Sequence, residues 1–256
     1  MNFHHWKSYV KHFFTSHSRK GHGIHSPFVF RFTEHVLRSS SLCFPLLEKE
    51  RHALYTQKTI IAFTDHGTGT SEPRRISKIA RKTLASKKDC RILSALIHFV
   101  SPACCLELGT SLGITTAYMA SALPGGTIFT IEGCGEVLRH AMDLTRRQQL
   151  NNIIFLHGTF DSILPALLPQ LCKPFLAFVD GNHSYTPTLS YFNALAGEAS
   201  PESVIVIHDI HLNKQMEKAW EAIKHHPLTI ISIDLFSMGI IFFRKGLQRQ
   251  HFRIRV

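Results

Sequence analysis

Two acids and a histidine, each just past a short apolar run, are the residues best placed to do chemistry. The stretch VDGNHSY (Val179–Tyr185) follows the run Phe175–Val179 and holds Asp180 and His183 three residues apart. A second run, Val204–Ile207, leads into His208, Asp209 and Ile210. Short apolar runs of this kind read as buried strands of a parallel sheet. Ligands of such sheets bind beyond the carboxyl ends of the strands, so Asp180 and Asp209 are expected to converge. Two carboxylates facing one space repel unless a cation sits between them, and hard oxygen donors suit magnesium or calcium. Such an ion would bind a hydroxyl group, lower its pKa and orient it. His183, as a neutral imidazole near pH 7, could take the proton. Three readings stay open: a divalent metal on Asp180 and Asp209, a metal-free site with His183 as general base, or a hydrogen-bonded turn in which His183 caps a helix. His208 is a poor magnesium ligand, which keeps a softer metal in view.

A second group of residues suits a nucleoside-type ligand. In LELGTSLGITTAYMA (Leu106–Ala120) an apolar strand ends in Glu107, turns through Gly109, Thr110, Ser111 and Gly113, and enters a helix. Gly109 permits a sharp turn, and Gly113 is expected to let a ligand approach the helix N-terminus. The spacing is not the G-x-G-x-x-G that brings backbone against a pyrophosphate. Glu132 ends the next strand, 25 residues after Glu107, where an acid can accept both hydroxyls of a ribose. Gly158, Thr159 and Asp161, after the third strand, are placed to edge an adenine. A cofactor with a carboxylate, a cationic group and no phosphate fits this set, and S-adenosylmethionine has those features.

These residues need a scaffold, and the pattern supplies one. Strands are predicted at Cys104–Leu108, Thr127–Ile131, Ile153–Leu156, Phe175–Val179 and Val204–Ile207. Helices are predicted at Ile114–Leu123, Glu136–Leu150, after Thr186, and at Lys214–Lys224. That alternation predicts an α/β fold with a doubly wound, mostly parallel, Rossmann-like sheet. LTIISIDLF and GIIFFRK are too close in sequence for a crossover and must form an antiparallel hairpin, giving seven strands. Trp220 is expected to pack its helix on the sheet. The first hundred residues read as helical, with Ser26 capping a helix that starts at Pro27. TDHGTGTSEP reads as a loop between helices. The expected division is 1–100 as a helical extension or cap, 101–246 as the catalytic domain and 247–256 as a basic tail.

Charge is unevenly spread: +11 over residues 1–100, −3 over 101–246 and +3 over 247–256. The basic front, especially Arg74, Arg75, Lys78, Arg81 and Lys82, is compatible with RNA, although few aromatics accompany it. Solvated basic helix faces are the alternative reading. No run reaches the roughly 18 apolar residues of a membrane span, and the first twenty residues lack the core of a signal peptide. The six cysteines show no C-x-x-C spacing and read as reduced residues of a cytoplasmic protein.

With these residues in view, 102–246 resembles the class I S-adenosylmethionine-dependent methyltransferases. LELGTSLG resembles the first motif of catechol-type O-methyltransferases; VDGNHSY and VIVIHDI resemble strand ends of sugar and macrolide O-methyltransferases. GHGIHSPFVF is similar to a segment preceding this domain in bacterial, especially Bacteroidetes, methyltransferases. The resemblance implies O-methylation of a small hydroxylated acceptor, aspartates that bind magnesium and a histidine base. The corresponding families carry Glu-Asp or Asp-Asn where this chain has His208 and Asp209. RNA methylation and a non-catalytic S-adenosylmethionine-binding module are the competing functions, and a homodimer is compatible with all of them.

Overall fold

The protein, seen in a computed structural model, is described over residues 3–18, 25–38, 44–65, 67 and 69–256. Residues 21–24 of GHGIHSPFVF, Cys43, and His66 and Thr68 of the expected loop lie outside this set. In chain order the first elements are α1 (Phe3–Thr15), β1 (His17–Ser18) and α2 (Pro27–Phe32), the last continuing as a π-helical turn over Thr33–Leu37. Then come α3 (Pro45–Thr56), β2 (Ile60–Asp65), β3 (Thr70–Arg75), α4 (Ile76–Thr83) and α5 (Lys87–Val100). The alternating part is β4 (Cys104–Leu108), α6 (Ile114–Ala122), β5 (Thr127–Glu132), α7 (Gly135–Arg147), β6 (Ile153–His157) and α8 (Phe160–Leu167). It continues through β7 (Phe175–Val179), α9 (Tyr185–Glu198), β8 (Val204–His208) and α10 (Lys214–Lys224). The chain ends with β9 (Ile231–Asp234), β10 (Met238–Phe242) and β11 (Gln250–Arg255). All seven expected strands are present as β4 to β10, so the predicted α/β class and antiparallel ending are met.

Two compact units result, one of Met1–Ser40 with Cys172–Val256 and one of Ser41–Leu171. In the second, β4, β5 and β6 run parallel in that order. Helices α3 and α4 share a core with α6 and α7, built on Leu47, Leu54, Ile76, Ile79, Tyr118 and Leu144. Polar atoms inside it are matched: Tyr118 donates to Glu48 at 2.6 Å, and buried Arg51 donates to Glu48 and to the Ala85 carbonyl. Burial pushes the Cys90 thiol up to about 11, so it is an inert core residue rather than a nucleophile.

In the other unit β7 and β8 are parallel, β10 is antiparallel to both β8 and β9, and β11 runs parallel to β9 and to β1. Buried Trp220 of α10 packs on the sheet as expected: a side chain at Gly239 of β10 would collide with its ring. Ser26 caps α2, accepting from the Val29 N–H, as expected.

The structure differs from expectation in two places. Residues 60–75, read as a helix end and loop, form the β2–β3 hairpin in full antiparallel register. Ile60, Ile61, Phe63 and Thr64 are β-favouring residues, and the glycine-rich turn follows them directly. Residues 250–255, read as part of a basic tail, form a strand because Ile254 turns inward and is fully buried. Among the described residues no helix is long and apolar enough to cross a membrane.

Candidate active site

The three strand ends of the Ser41–Leu171 unit meet at one residue. Glu132, at the tip of β5, accepts from the Ser111 N–H through one oxygen and the Cys134 N–H through the other, both at 2.9 Å. It thereby ties the loop after β4 to the loop after β5. The Gly158 N–H, just past β6, donates to the Glu132 carbonyl at 3.0 Å. Gly109 (φ 106°) needs the conformation that only glycine adopts freely, and its N–H donates to the Ile131 carbonyl. The hydroxyls of Ser111 and Thr83 of α4 share a hydrogen bond at 2.6 Å. Thr159 caps α8, and Asp161 stands exposed in its first turn.

Glu107 sits deeper than its place at a strand end suggests. It is fully buried and accepts from Thr116 of α6 at 2.5 Å and Thr130 of β5 at 2.6 Å. Thr110 joins the same chain through Thr130 at 2.6 Å. A buried carboxylate is tolerated only with such partners, so Glu107 shapes the loop from beneath. Gly113 also has another reason to be glycine. A Cβ there would lie 2.8 Å from Ala141 Cβ, so its bareness admits α7.

In the other unit, Asp180 follows β7 and Asp209 follows β8, two parallel neighbours. One ligand atom each of Asp180, His183 and Asp209 lies within 4.8 Å of the other two. Bonds of about 2.0–2.5 Å to a central ion span such a gap. His183 Nε2 stands 3.8 Å from Asp180 Oδ1, and His208 Nδ1 approaches the same oxygen at 3.0 Å. Asp209 (φ 55°) and Asn182 (φ 54°) hold the left-handed conformation that short polar side chains tolerate. The Asp209 N–H donates to the Ser237 carbonyl, and Asn213 donates to the His183 carbonyl, so both loops are pinned. His183 and Asp209 each keep about a third of their side chains exposed. The arrangement can hold a cation or accept a proton, and it is open enough to meet a substrate.

Comparison with known proteins decides the class. Residues 106–210 match the methyltransferase domain family. Those residues are a methyltransferase domain. Every residue of both groups above lies inside or beside it, from Glu107 to Asp209. No curated protein sequence matches the chain. Solved structures with the same fold include the O-methyltransferase TomG from Streptomyces achromogenes, in complex with SAM. That structure is 18% identical, covers 83% of this chain and 96% of its own, and has a TM-score of 0.60. The O-methyltransferase from Bacillus cereus in complex with SAH is 16% identical over 82% and 96%, with TM-score 0.59. The SAH-bound methyltransferase PaMTH1 from Podospora anserina is 13% identical over 87% and 97%, with TM-score 0.63. The expected class I methyltransferase fold is thus met.

Within the methyltransferase domain the sequence reading missed three supports. Thr116 and Thr130 hold Glu107, and His208 orients Asp180. The threonines carried a signal, since a hydroxyl facing a buried acid is the usual way to satisfy it. His208 was noticed for what it does badly, binding magnesium, and not for the hydrogen bond it makes.

Proposed function

We propose that this chain transfers the methyl group of S-adenosylmethionine to the hydroxyl oxygen of a small acceptor, with Asp180, His183 and Asp209 handling the acceptor. The observation that carries this reading is the meeting of those three side chains past two parallel strands of a methyltransferase domain. The donor is assigned to the loops around Gly109, Thr110, Ser111, Glu132, Gly158 and Thr159. Glu132, held by two backbone N–H groups at the tip of β5, is assigned to the ribose hydroxyls. Relatives solved with SAM or SAH favour the same donor.

In the transfer the acceptor O–H proton passes to His183 Nε2. The oxygen lone pair bonds to the methyl carbon, and the carbon–sulfur bond breaks toward sulfur, leaving S-adenosylhomocysteine. Asp180 Oδ1 stands 3.8 Å from His183 Nε2, the atom that takes the proton. The two carboxylates fit a divalent ion, and magnesium, manganese or zinc at Asp180 and Asp209 would acidify and orient the hydroxyl, leaving His183 as the base. Residues 1–100 are assigned as the cap that chooses the acceptor. RNA is the weaker candidate, because part of the basic cluster is already engaged. Arg74 binds Glu72 and stacks over Phe63, and Arg81 donates to the Tyr55 carbonyl.

Labelled S-adenosylmethionine incubated with the purified protein and a panel of phenolic, sugar and RNA acceptors tests the reading. Label in a small hydroxylated compound is the expected result. Label confined to RNA would overturn it.

A further inference from the structure

Helix α1 faces the wrong way for an ordinary surface helix. Its polar side is turned inward. His12 is buried with Nε2 3.1 Å from Asp234, Ser8 donates to Glu217 at 2.6 Å, and His5 Nδ1 lies 3.2 Å from the His211 carbonyl. Its aromatic side is turned outward: Trp6 is 53% exposed, Tyr9 47%, Phe13 40% and Phe14 80%. At about 100° per residue these four side chains share an arc of roughly 140°, with Lys7 and Lys11 along one edge. Surface helices normally bury the apolar stripe. Here the polar contacts beneath fix the helix, so it cannot roll the aromatics inward.

We infer that this aromatic face of α1 seats the protein on an anionic lipid surface. Charge supports that occupant. Residues 1–33 contain five Lys or Arg and no Asp or Glu. Arg255 of β11 adds its guanidinium 4.3 Å from the Phe13 ring. Trp and Tyr rings suit the headgroup boundary, lysine stems can lie along it with their ammonium groups at the phosphates, and basic aromatic helices bind in its plane. A second copy is a poorer fit. A two-fold contact through this face would bring together two copies of one cationic patch, Lys7, Lys11 and Arg255, and like charges disfavour it. The inference is independent of the methyl-transfer reading.

The test is vesicle sedimentation of the full chain, read alongside tryptophan fluorescence. The protein has two tryptophans, and Trp220 is buried, so a blue shift on binding reports Trp6. Binding to vesicles containing phosphatidylserine or phosphatidylglycerol is expected, with a blue shift and weakening by salt. Pure phosphatidylcholine should bind far less. Lys7→Glu should lower partitioning about 30-fold, since each charge near an anionic surface counts for about fivefold. Phe14→Ser, at the most exposed position, should lower it about tenfold while leaving the fold intact. Equal indifference to both kinds of vesicle would overturn the inference. So would binding that neither substitution alters, or a concentration-dependent dimer or an acidic protein partner that shifts Trp6 while vesicles do not.

Discussion

Two groups of carboxylates and imidazoles in the same unit make a useful contrast. One is Asp180, His183 and Asp209, with His208 behind; the other is Asp234, His12, His211, Glu217 and Arg253. The second is closed. Asp234 is almost wholly buried and is approached by His12, His211 and Arg253 and by the Phe236 N–H, all within 3.3 Å. Burial alone would raise its pKa, but the hydrogen bonds and charge of His12 and His211 hold it far below the usual carboxylate range. His211 is likewise committed, with Nε2 on Asp234 and Nδ1 on Glu217, and its ring stacks on Phe236. The first group is spaced for something to enter, and two of its members stay a third exposed. The same residue types therefore form a latch where every partner is internal, and an open candidate site where room is left for an external one.

The largest expected effect would break the contrast outright. Asp209→Ala should cut turnover of an identified acceptor about 1,000-fold, near 4 kcal/mol of transition-state stabilisation, while leaving the fold intact. A chelator should act reversibly in the same direction. If chelation does nothing while His183→Ala costs about 100- to 10,000-fold, the site works as a metal-free base. Next in size, Asp234→Asn should leave methyl transfer chemistry alone but lower stability by about 3 kcal/mol in urea unfolding, because removing one partner of a buried pair strands the others. A normal unfolding midpoint with lost turnover would reverse the two assignments.

Smaller effects sharpen the picture. Glu132→Ala should weaken S-adenosylhomocysteine binding by about 2 kcal/mol in calorimetry, because hydrogen bonds to a charged acceptor are lost. Asp209→Ala should leave that affinity almost unchanged. The smallest effect is a pH dependence of the latch. Burial alone would lower the His211 pKa, but the hydrogen bonds and charges of Asp234 and Glu217 outweigh it and hold it above the ordinary value. A group raised on folding stabilises fully below its unfolded pKa, near 6.5, and less as pH climbs through the raised value. The stability of this unit should therefore decline from near neutral into alkaline pH. His211→Asn should flatten that part of the urea-midpoint profile.

Much of the catalytic half was legible because its signals are local. The seven strands follow from apolar runs such as Phe175–Val179, and the hairpin ending follows from the shortness of the link between its strands. The roles of Glu107 and Gly113 were harder to see. Depth and close approach depend on Thr116, Thr130 and Ala141, which come from other elements, and no spacing rule names them. The β2–β3 hairpin carried a local signal in its β-branched run, but the basic residues around it read as helix. Strand β11 carried less, since a short charged segment becomes a strand only where an edge awaits it.

By itself, then, the sequence determined the alternation of strands and helices, the acids at their tips and the basic, acid-free front. Hydrophobic period, turn chemistry and charge are written residue by residue. Only the tertiary structure decided which acids are enclosed by partners and which are left open. Asp180, Asp209 and Asp234 all end or follow strands, and residue type alone does not say how enclosed each will be. What separates them is whether distant segments, α1 and β11 in the case of Asp234, arrive to fill their hydrogen-bonding capacity. The same folding turned α1 over: three polar groups found partners beneath the helix, and the aromatic side was left facing out.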